Sequence, residues 1–167
     1  MAKNRQRSLN HTIPSPIAPT CSGELRSGIP FTVTNGNVDA NLDGNTNDRA
    51  QLIGDPNIAN PTAAMWFNTA AFVQNKVVTG VATDGNSARN LLDGPSYKVV
   101  DLALSRDFRL TERYTLRCRA EATNVFNKVN LGLPGAAVPS GTTSTTFGVI
   151  TTAAPMRKIQ FGLRLSF

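Results

Sequence analysis

The stretch that decides the fold is YKVVDLALSRDF, residues 97–108, because apolar and polar side chains alternate along it. One face of the extended chain is apolar and carries Val100, Leu102, Leu104 and Phe108. The opposite face carries Asp101, Ala103, Ser105 and Asp107. A period of two residues predicts a β-strand that lies between an apolar and a polar environment.

Two further stretches repeat this alternation: YTLRCRAEATNVF, residues 114–126, and RKIQFGLRLSF, residues 157–167. A fourth, ELRSGIPFTVT, is less regular and is broken near Gly28 and Pro30. We therefore predict an all-β fold of antiparallel strands at about 24–34, 97–108, 114–126 and 157–167. Loops rich in Asn, Asp, Gly and Pro are predicted at 35–96 and 127–156, and a disordered or extended arm at 1–22.

Two classes of protein fit this pattern. A soluble sheet with one wet face also alternates. An outer-membrane β-barrel is favoured by the length of the strands, by the mixed charges of the polar faces, and by short turns that alternate with long loops. A short apolar piece, residues 63–73, interrupts the first long loop, and we expect its Trp66, Phe67 and Phe72 to pack.

Other classes are disfavoured. The formal charge of +6 is spread along the chain, so we expect no nucleic-acid partner. No secretory signal or apolar run long enough for a transmembrane helix is visible. The only histidine, His11, lies in the arm, and we therefore expect no enzyme. Cys21 and Cys118 lack metal-ligand spacing, and a disulfide between them is left open.

The stretch DANLDGNTNDR, residues 39–49, resembles the start of an EF-hand calcium loop. The candidate oxygen ligands are Asp39, Asn41, Asp43, Asn45, Asn47 and Asp48. Counted from Asp39, however, the twelfth position is Ala50, where an EF-hand places a bidentate glutamate. The sequence therefore predicts either a weak calcium site that is not an EF-hand or a cluster of Asx-turns.

Several motifs occur in order along the chain: SGIPFTVTNG, DGNTNDRAQLIGDP, WFNTAAF, GNSARNLLDGPSYKVVDLALSRDF and FGVITTAAPMRKIQFGLRLSF. Together they resemble the last strands of TonB-dependent outer-membrane receptors, in particular the Oar-like group with a carboxypeptidase-regulatory-like domain. The resemblance covers about residues 23–167. It implies a barrel of about 22 strands with a plug in its lumen, and import of a nutrient with energy from TonB.

The resemblance also implies roles for individual residues. Phe167 resembles the terminal aromatic residue that the barrel-assembly machinery reads. The lumen-facing residues would be Asp101, Arg117, Arg119, Glu121 and Arg164. Residues 109–113 would form a periplasmic turn, and residues 36–97 an extracellular loop that places any calcium outside the cell.

No plug or TonB box is visible, so we expect a C-terminal segment of a receptor that does not transport alone. Its expected partners are outer-membrane lipid, the rest of the barrel and plug, the assembly machinery, and TonB through another part of the receptor. The alternative is a secreted β-rich module for calcium-dependent binding or adhesion.

Overall fold

The computed structural model describes residues 15–76, 83–140 and 146–167. The strands within them are β1 (Ala18–Arg26), β2 (Pro30–Phe31), β3 (Gln51–Leu52), β4 (Phe72–Val73), β5 (Leu92–Asp93), β6 (Tyr97–Arg109), β7 (Thr115–Thr123) and β8 (Lys158–Ser166). A short 3-10 helix covers Thr69–Ala71. Over the same residues, no helix has the length and hydropathy to cross a bilayer.

The four long strands form one sheet in the order β1-β6-β7-β8. β6 and β7 are antiparallel, as are β7 and β8. β1 and β8 are the edges of this sheet, and both are exposed along their whole length. The sheet is therefore not closed into a barrel by the residues described, and the predicted all-β, antiparallel and unclosed architecture is confirmed.

The register of the sheet confirms the predicted faces. Leu104 lies opposite Ala120, which in turn lies opposite Phe161. One residue further along each strand the side chains are polar or absent: Ser105 lies opposite Arg119, which faces Gly162. Because side chains alternate across a strand, this pairing gathers the apolar residues of three strands on one face of the sheet.

The first strand differs from the prediction of 24–34, because β1 starts at Ala18 and ends at Arg26. The region assigned to a disordered or extended arm therefore contains the start of a strand, while residues 1–14 lie outside the described part. Ile17 lines a groove with Leu104 and Phe161, whereas Thr20 lines one with Asp101. The strand β1 thus continues the apolar and the polar face of the sheet. It can contain Pro19 because an edge strand does not need every backbone N–H for pairing.

The chain divides into two compact units. The first comprises Met1–Gly23, Val99–Lys128 and Arg157–Phe167, and the second comprises Glu24–Lys98 and Val129–Met156. The second unit has its own core, formed by Phe31, Val33, Ala50, Phe67, Ala71, Phe72, Leu92 and Val138. The described residues of the long loop predicted at 35–96 carry only two-residue strands and one short 3-10 helix, yet several of them enter this core. The core itself was not predicted, because it is built from pieces too short to show a period.

Phe67 is the centre of this core and is only 1% exposed. Its ring lies 5.9 Å from that of Phe31, 5.7 Å from that of Phe72 and 5.2 Å from that of Phe147, measured between centroids. The expected packing of Phe67 and Phe72 is confirmed. Trp66 packs against the same core, and its indole Nε1 donates a hydrogen bond of 2.8 Å to the carbonyl oxygen of Asp93.

Two buried asparagines of the second unit use their side chains to bond the backbone of distant residues. The side chain of Asn35 bonds both the N–H and the carbonyl of Asn75, at 2.6 and 2.7 Å. Asn130 does the same for Lys98, at 2.8 and 3.0 Å. An amide side chain carries one acceptor and two donors, so it can pair with a backbone peptide as a neighbouring strand would. The asparagine-rich composition of this region is thus partly structural.

Candidate functional site

The polar face of the sheet carries two ion pairs. Asp107 on β6 lies opposite Arg117 on β7, and hydrogen bonds of 2.7 and 2.9 Å join Nε and Nη2 of the arginine to the two carboxylate oxygens. This two-pronged geometry is the strongest that an arginine and a carboxylate adopt. Within β7, Arg119 forms a second ion pair with Glu121.

Asp101 and Arg164 complete the predicted group on this face. The Oδ1 atom of Asp101 accepts a hydrogen bond of 2.9 Å from the N–H of Asn124, which follows the last residue of β7. Arg164 lies directly opposite Arg117 in the register of β7 and β8. All five residues predicted to share a polar face therefore do so, and Arg117 lies between a carboxylate and a second guanidinium group.

Two grooves run over the polar face from β1 across β6 to β7. The larger, of about 370 Å³, is lined by Ser15, Pro16, Ala18, Ser105, Arg106, Asp107, Arg117 and Arg119. The smaller, of about 200 Å³, is lined by Thr20, Ser22, Asp101, Glu121 and Thr123, among others. Charged groups and hydroxyl groups in open grooves can bind water, ions or a polar chain.

The opposite face exposes large apolar side chains on β8. Phe161 and Leu163 are 79% and 75% exposed, and Ile159 and Leu165 are more than half exposed. A continuous exposed apolar surface of this kind indicates contact with a membrane or another protein. Cys118 lies opposite Leu163 on this face, and both Cys21 and Cys118 are free thiols. β6 separates the strands of the two cysteines, so they are not neighbours across one ladder.

Arg106 interrupts the apolar face, and the sequence analysis missed it. It lies on β6 opposite Cys118, in the same row as Leu104 and Phe108. Its guanidinium carbon is 5.1 Å from the centroid of the Phe108 ring. Its Nε atom is buried and has no hydrogen-bond partner. The two-residue period of the strand already placed this arginine among apolar residues, and that was the available signal.

The acidic loop of the second unit gathers three of its candidate metal ligands. Asp39, Asp43 and Asp48 each offer a carboxylate oxygen, and these atoms lie within 4.8 Å of one another. Asn41 is close by, because its Nδ2 atom donates to Asp43 at 3.1 Å. This arrangement of hard oxygen atoms could hold a calcium ion. Of the remaining candidates, Asn45 accepts a hydrogen bond of 3.1 Å at Oδ1 from the N–H of Asn47.

The same loop is also closed by its own backbone. The buried carboxylate of Asp48 accepts the N–H groups of Ala40 and Asn41 at 2.5 and 3.0 Å. Asp39 accepts those of Asp43 and Gly44 at 3.2 and 2.9 Å. The Asx-turns of the loop are separate bonds, in which Asn41, Asp43 and Asn45 each accept the N–H two residues further on, at 3.0, 2.8 and 3.1 Å. Ala50, the twelfth position, is fully buried in the core, so the loop is not an EF-hand.

An ion pair fixes the end of this loop. Arg49 donates from its backbone N–H and from Nε to the two oxygens of Asp84, both at 2.7 Å. Its Nη1 atom also donates to the carbonyl of Ser87 at 2.8 Å. Desolvation raises the pKa of Asp84, but hydrogen bonds from Arg49 and its positive charge outweigh this and lower the pKa below its usual value of 3.8. The carboxylate is therefore charged near neutral pH and part of the fold.

The sequence of the chain matches a known family model. The model described as an outer membrane beta barrel domain matches residues 22–160, most of the chain. The chain belongs to the outer membrane β-barrel family. Its location is accordingly the bacterial outer membrane. No curated protein and no solved structure is significantly similar to the chain.

Membership of the outer membrane β-barrel family accounts for the two faces of the sheet. The wall of such a barrel is apolar towards lipid and polar towards its lumen, and its strands alternate between the two. The family also accounts for the open edges of β1 and β8, because an exposed edge in lipid leaves backbone groups without hydrogen bonds. In an outer membrane barrel, further strands would cover both edges.

Proposed function

We propose that the chain is part of a TonB-dependent receptor that imports a bulky nutrient across the outer membrane. The observation that carries the proposal is the sheet itself, with one apolar and one charged face, in a chain that belongs to the outer membrane β-barrel family. The order of the sequence motifs, which resembles that of TonB-dependent receptors, supports the finer assignment. The chain contributes structure and has no catalytic role in this proposal.

The proposed orientation follows from the connections between strands. If β8 runs towards the periplasm, the short connection at 110–114 is a periplasmic turn. The longer connections, at 27–96 and 124–157, are then extracellular. Short periplasmic turns and long outer loops are typical of these barrels. The core built around Phe67 would give the extracellular part a fixed shape that can meet the nutrient first.

In this orientation the charged face lines the lumen beside the plug. The ion pair of Asp107 with Arg117 and that of Arg119 with Glu121 would neutralise most of the charge there. Arg164 is exposed and faces another arginine in the register. A carboxylate of the plug or nutrient is the partner that would relieve this like-charge contact.

Binding to TonB tests the proposal. The receptor is extracted from outer membranes, its folded state is verified by heat-modifiable migration, and the periplasmic domain of TonB is titrated onto it. We expect saturable binding that increases when the receptor is incubated with an extract containing its nutrient. A folded barrel that does not bind TonB would leave the family assignment intact and would exclude TonB-dependent uptake.

Insertion of the receptor provides a second test, directed at Phe167, which we propose as the residue that the assembly machinery reads. Phe167 is 95% exposed, so its removal deletes no packing contact of importance within the sheet. We expect its deletion to lower the amount of folded protein in the outer membrane, and Phe167→Tyr to restore it. Unchanged outer-membrane levels of the deletion variant would contradict this role.

A second candidate function is calcium binding by the acidic loop, either within the receptor or in a secreted adhesion module. It is favoured by the three carboxylates whose oxygens lie within 4.8 Å. Titration with about 1–10 mM Ca²⁺, the range of extracellular sites, should raise the thermal midpoint of the wild type. It should not raise that of Asp39→Asn/Asp43→Asn. Equal midpoints with and without calcium would leave only the Asx-turns.

A further inference from the structure

The apolar face of the sheet contains one charged residue that the proposed function does not use. Arg106 lies between Leu104 and Phe108 on β6. β6 has β1 on one side and β7 on the other, so strands added at the edges of the sheet would not cover this face. In the membrane, Arg106 therefore lies on the outer wall of the barrel.

No protein carboxylate among the described residues is placed to neutralise Arg106. The residue opposite it is Cys118. The nearest acid in sequence, Asp107, points to the other face of the strand and is held by two hydrogen bonds from Arg117. The Nε atom of Arg106 is buried without a hydrogen-bond partner. A buried donor without a partner is unfavourable, and an anionic acceptor from outside the chain would satisfy the Nε atom of Arg106.

The position of Arg106 along the strand is that of a lipid headgroup. It lies three residues before Arg109, the last residue of β6. At the rise of a strand this distance is about 10 Å, and it is less along the membrane normal because barrel strands are tilted. The guanidinium group lies 5.1 Å from the ring of Phe108, which is still nearer the end of the strand. The cation is thus drawn towards the interface.

A groove of about 360 Å³ lies beside Arg106 on this part of the sheet. Its apolar lining includes Ile17, Leu104, Phe108, Cys118, Phe161 and Leu163. A cation in the lining of an apolar groove matches a lipid, whose acyl chain follows the groove while its phosphate reaches the guanidinium group. Arginine suits phosphate because its planar donors fit two phosphate oxygens at once.

We propose that Arg106 and Phe108 hold the phosphate of an anionic phospholipid in the periplasmic leaflet, with one acyl chain in the adjacent groove. The leaflet rests on the orientation given under the proposed function, whereas the lipid site itself rests only on the contacts of Arg106. A net anionic headgroup is favoured over a zwitterionic one because no second protein charge offsets the guanidinium group.

Phospholipid titration of the detergent-solubilised receptor, followed by native mass spectrometry, tests this site. Phosphatidylglycerol is compared with phosphatidylethanolamine for the wild type, Arg106→Gln and Arg109→Gln. The two variants lose the same charge from the same strand, but on opposite faces. We expect about tenfold weaker binding of phosphatidylglycerol to Arg106→Gln, as for loss of a hydrogen bond to a charged group, and no change for Arg109→Gln.

Several outcomes would overturn the site. These are equal losses in the two variants, equal affinity for the two lipids in the wild type, displacement by an equal concentration of inorganic phosphate, or preference for lipid A over phosphatidylglycerol. Should Arg106→Gln fail to fold, Arg106→Lys keeps the charge and is expected to keep most of the preference. None of these measurements involves TonB, so the lipid site and TonB-dependent uptake can fail independently.

Discussion

Asp107 and Arg117 are joined by two hydrogen bonds across β6 and β7, and Arg164 lies opposite the same arginine on the next strand. Three charged residues thus form one row across the polar face of the sheet. A shift of one residue in either pairing would separate these three side chains. The row therefore depends on the register in which the three strands pair.

Charge reversal tests this row. Asp107→Lys should destabilise the sheet, because it places a second cation beside Arg117. Adding Arg117→Glu should restore stability to the wild-type level or above it, since a glutamate at position 117 would face cations on both sides. The urea midpoint of the folded barrel is the measurement. A double variant no more stable than Asp107→Lys would contradict the register.

The two faces should tolerate charge differently. Leu104→Arg places a cation on the apolar face and should cost about 2–4 kcal/mol if the site lies at the bilayer midplane. Ser105→Arg points to the polar face and should be tolerated. Unfolding of both variants in lipid vesicles by denaturant gives the comparison. Equal stability of the two variants would contradict the assignment of Leu104 to the lipid-facing side and of Ser105 to the polar side.

The core of the second unit should depend on Phe67. Replacing this buried ring by alanine removes its contacts with three other rings, and Phe67→Ala should cost about 3–5 kcal/mol. Ile53→Ala is the control, because Ile53 is 62% exposed in the same unit. Amide exchange at Ala50 and Phe72, whose N–H groups donate to the carbonyl oxygens of Val33 and Thr69, reports the loss. Unchanged protection of these amides in Phe67→Ala would mean that the unit has no cooperative core.

Acid should weaken the second unit through Asp84. The pKa of this carboxyl is lowered in the folded state, so its contribution is present above 3.8 and is lost as the pH falls through the lower folded value. Asp84→Asn should be less stable than the wild type at pH 7, and the difference should shrink below pH 3.8. The fluorescence of Trp66, the only tryptophan of the sequence, follows unfolding. A constant difference at all pH values would contradict the ion pair.

The strands that alternate were predictable because their side chains meet only two environments. The strands predicted at 97–108, 114–126 and 157–167 match β6, β7 and β8 to within a few residues. β7 ends before the predicted boundary because Asn124 adopts a positive φ of 50° and its N–H bonds to Asp101. β1 was misplaced because small residues between Ile17 and Leu25 weaken its alternation and Pro19 resembles an arm.

The second unit could not be predicted because its core joins residues that are distant in sequence. Phe31, Phe67 and Phe147 meet there although more than thirty residues separate each from the next. Some of its hydrogen bonds also run through side chains, such as that of Asn35. Asp39, Asp43 and Asp48 lie close together because one short loop carries them, and their role as calcium ligands stays a prediction. Arg106 was not predicted as a functional residue, because a single charged side chain leaves the two-residue alternation of the strand recognisable.

Accessibility of spin labels along β6 tests the central claim most directly. Single cysteines at Leu102, Ala103, Leu104 and Ser105 are labelled in a Cys21→Ser/Cys118→Ser background and reconstituted into lipid. We predict that apolar oxygen relaxes the labels at 102 and 104 more strongly, and that a water-soluble nickel complex relaxes those at 103 and 105 more strongly. Equal access of the nickel complex to all four positions would contradict a membrane-spanning barrel wall.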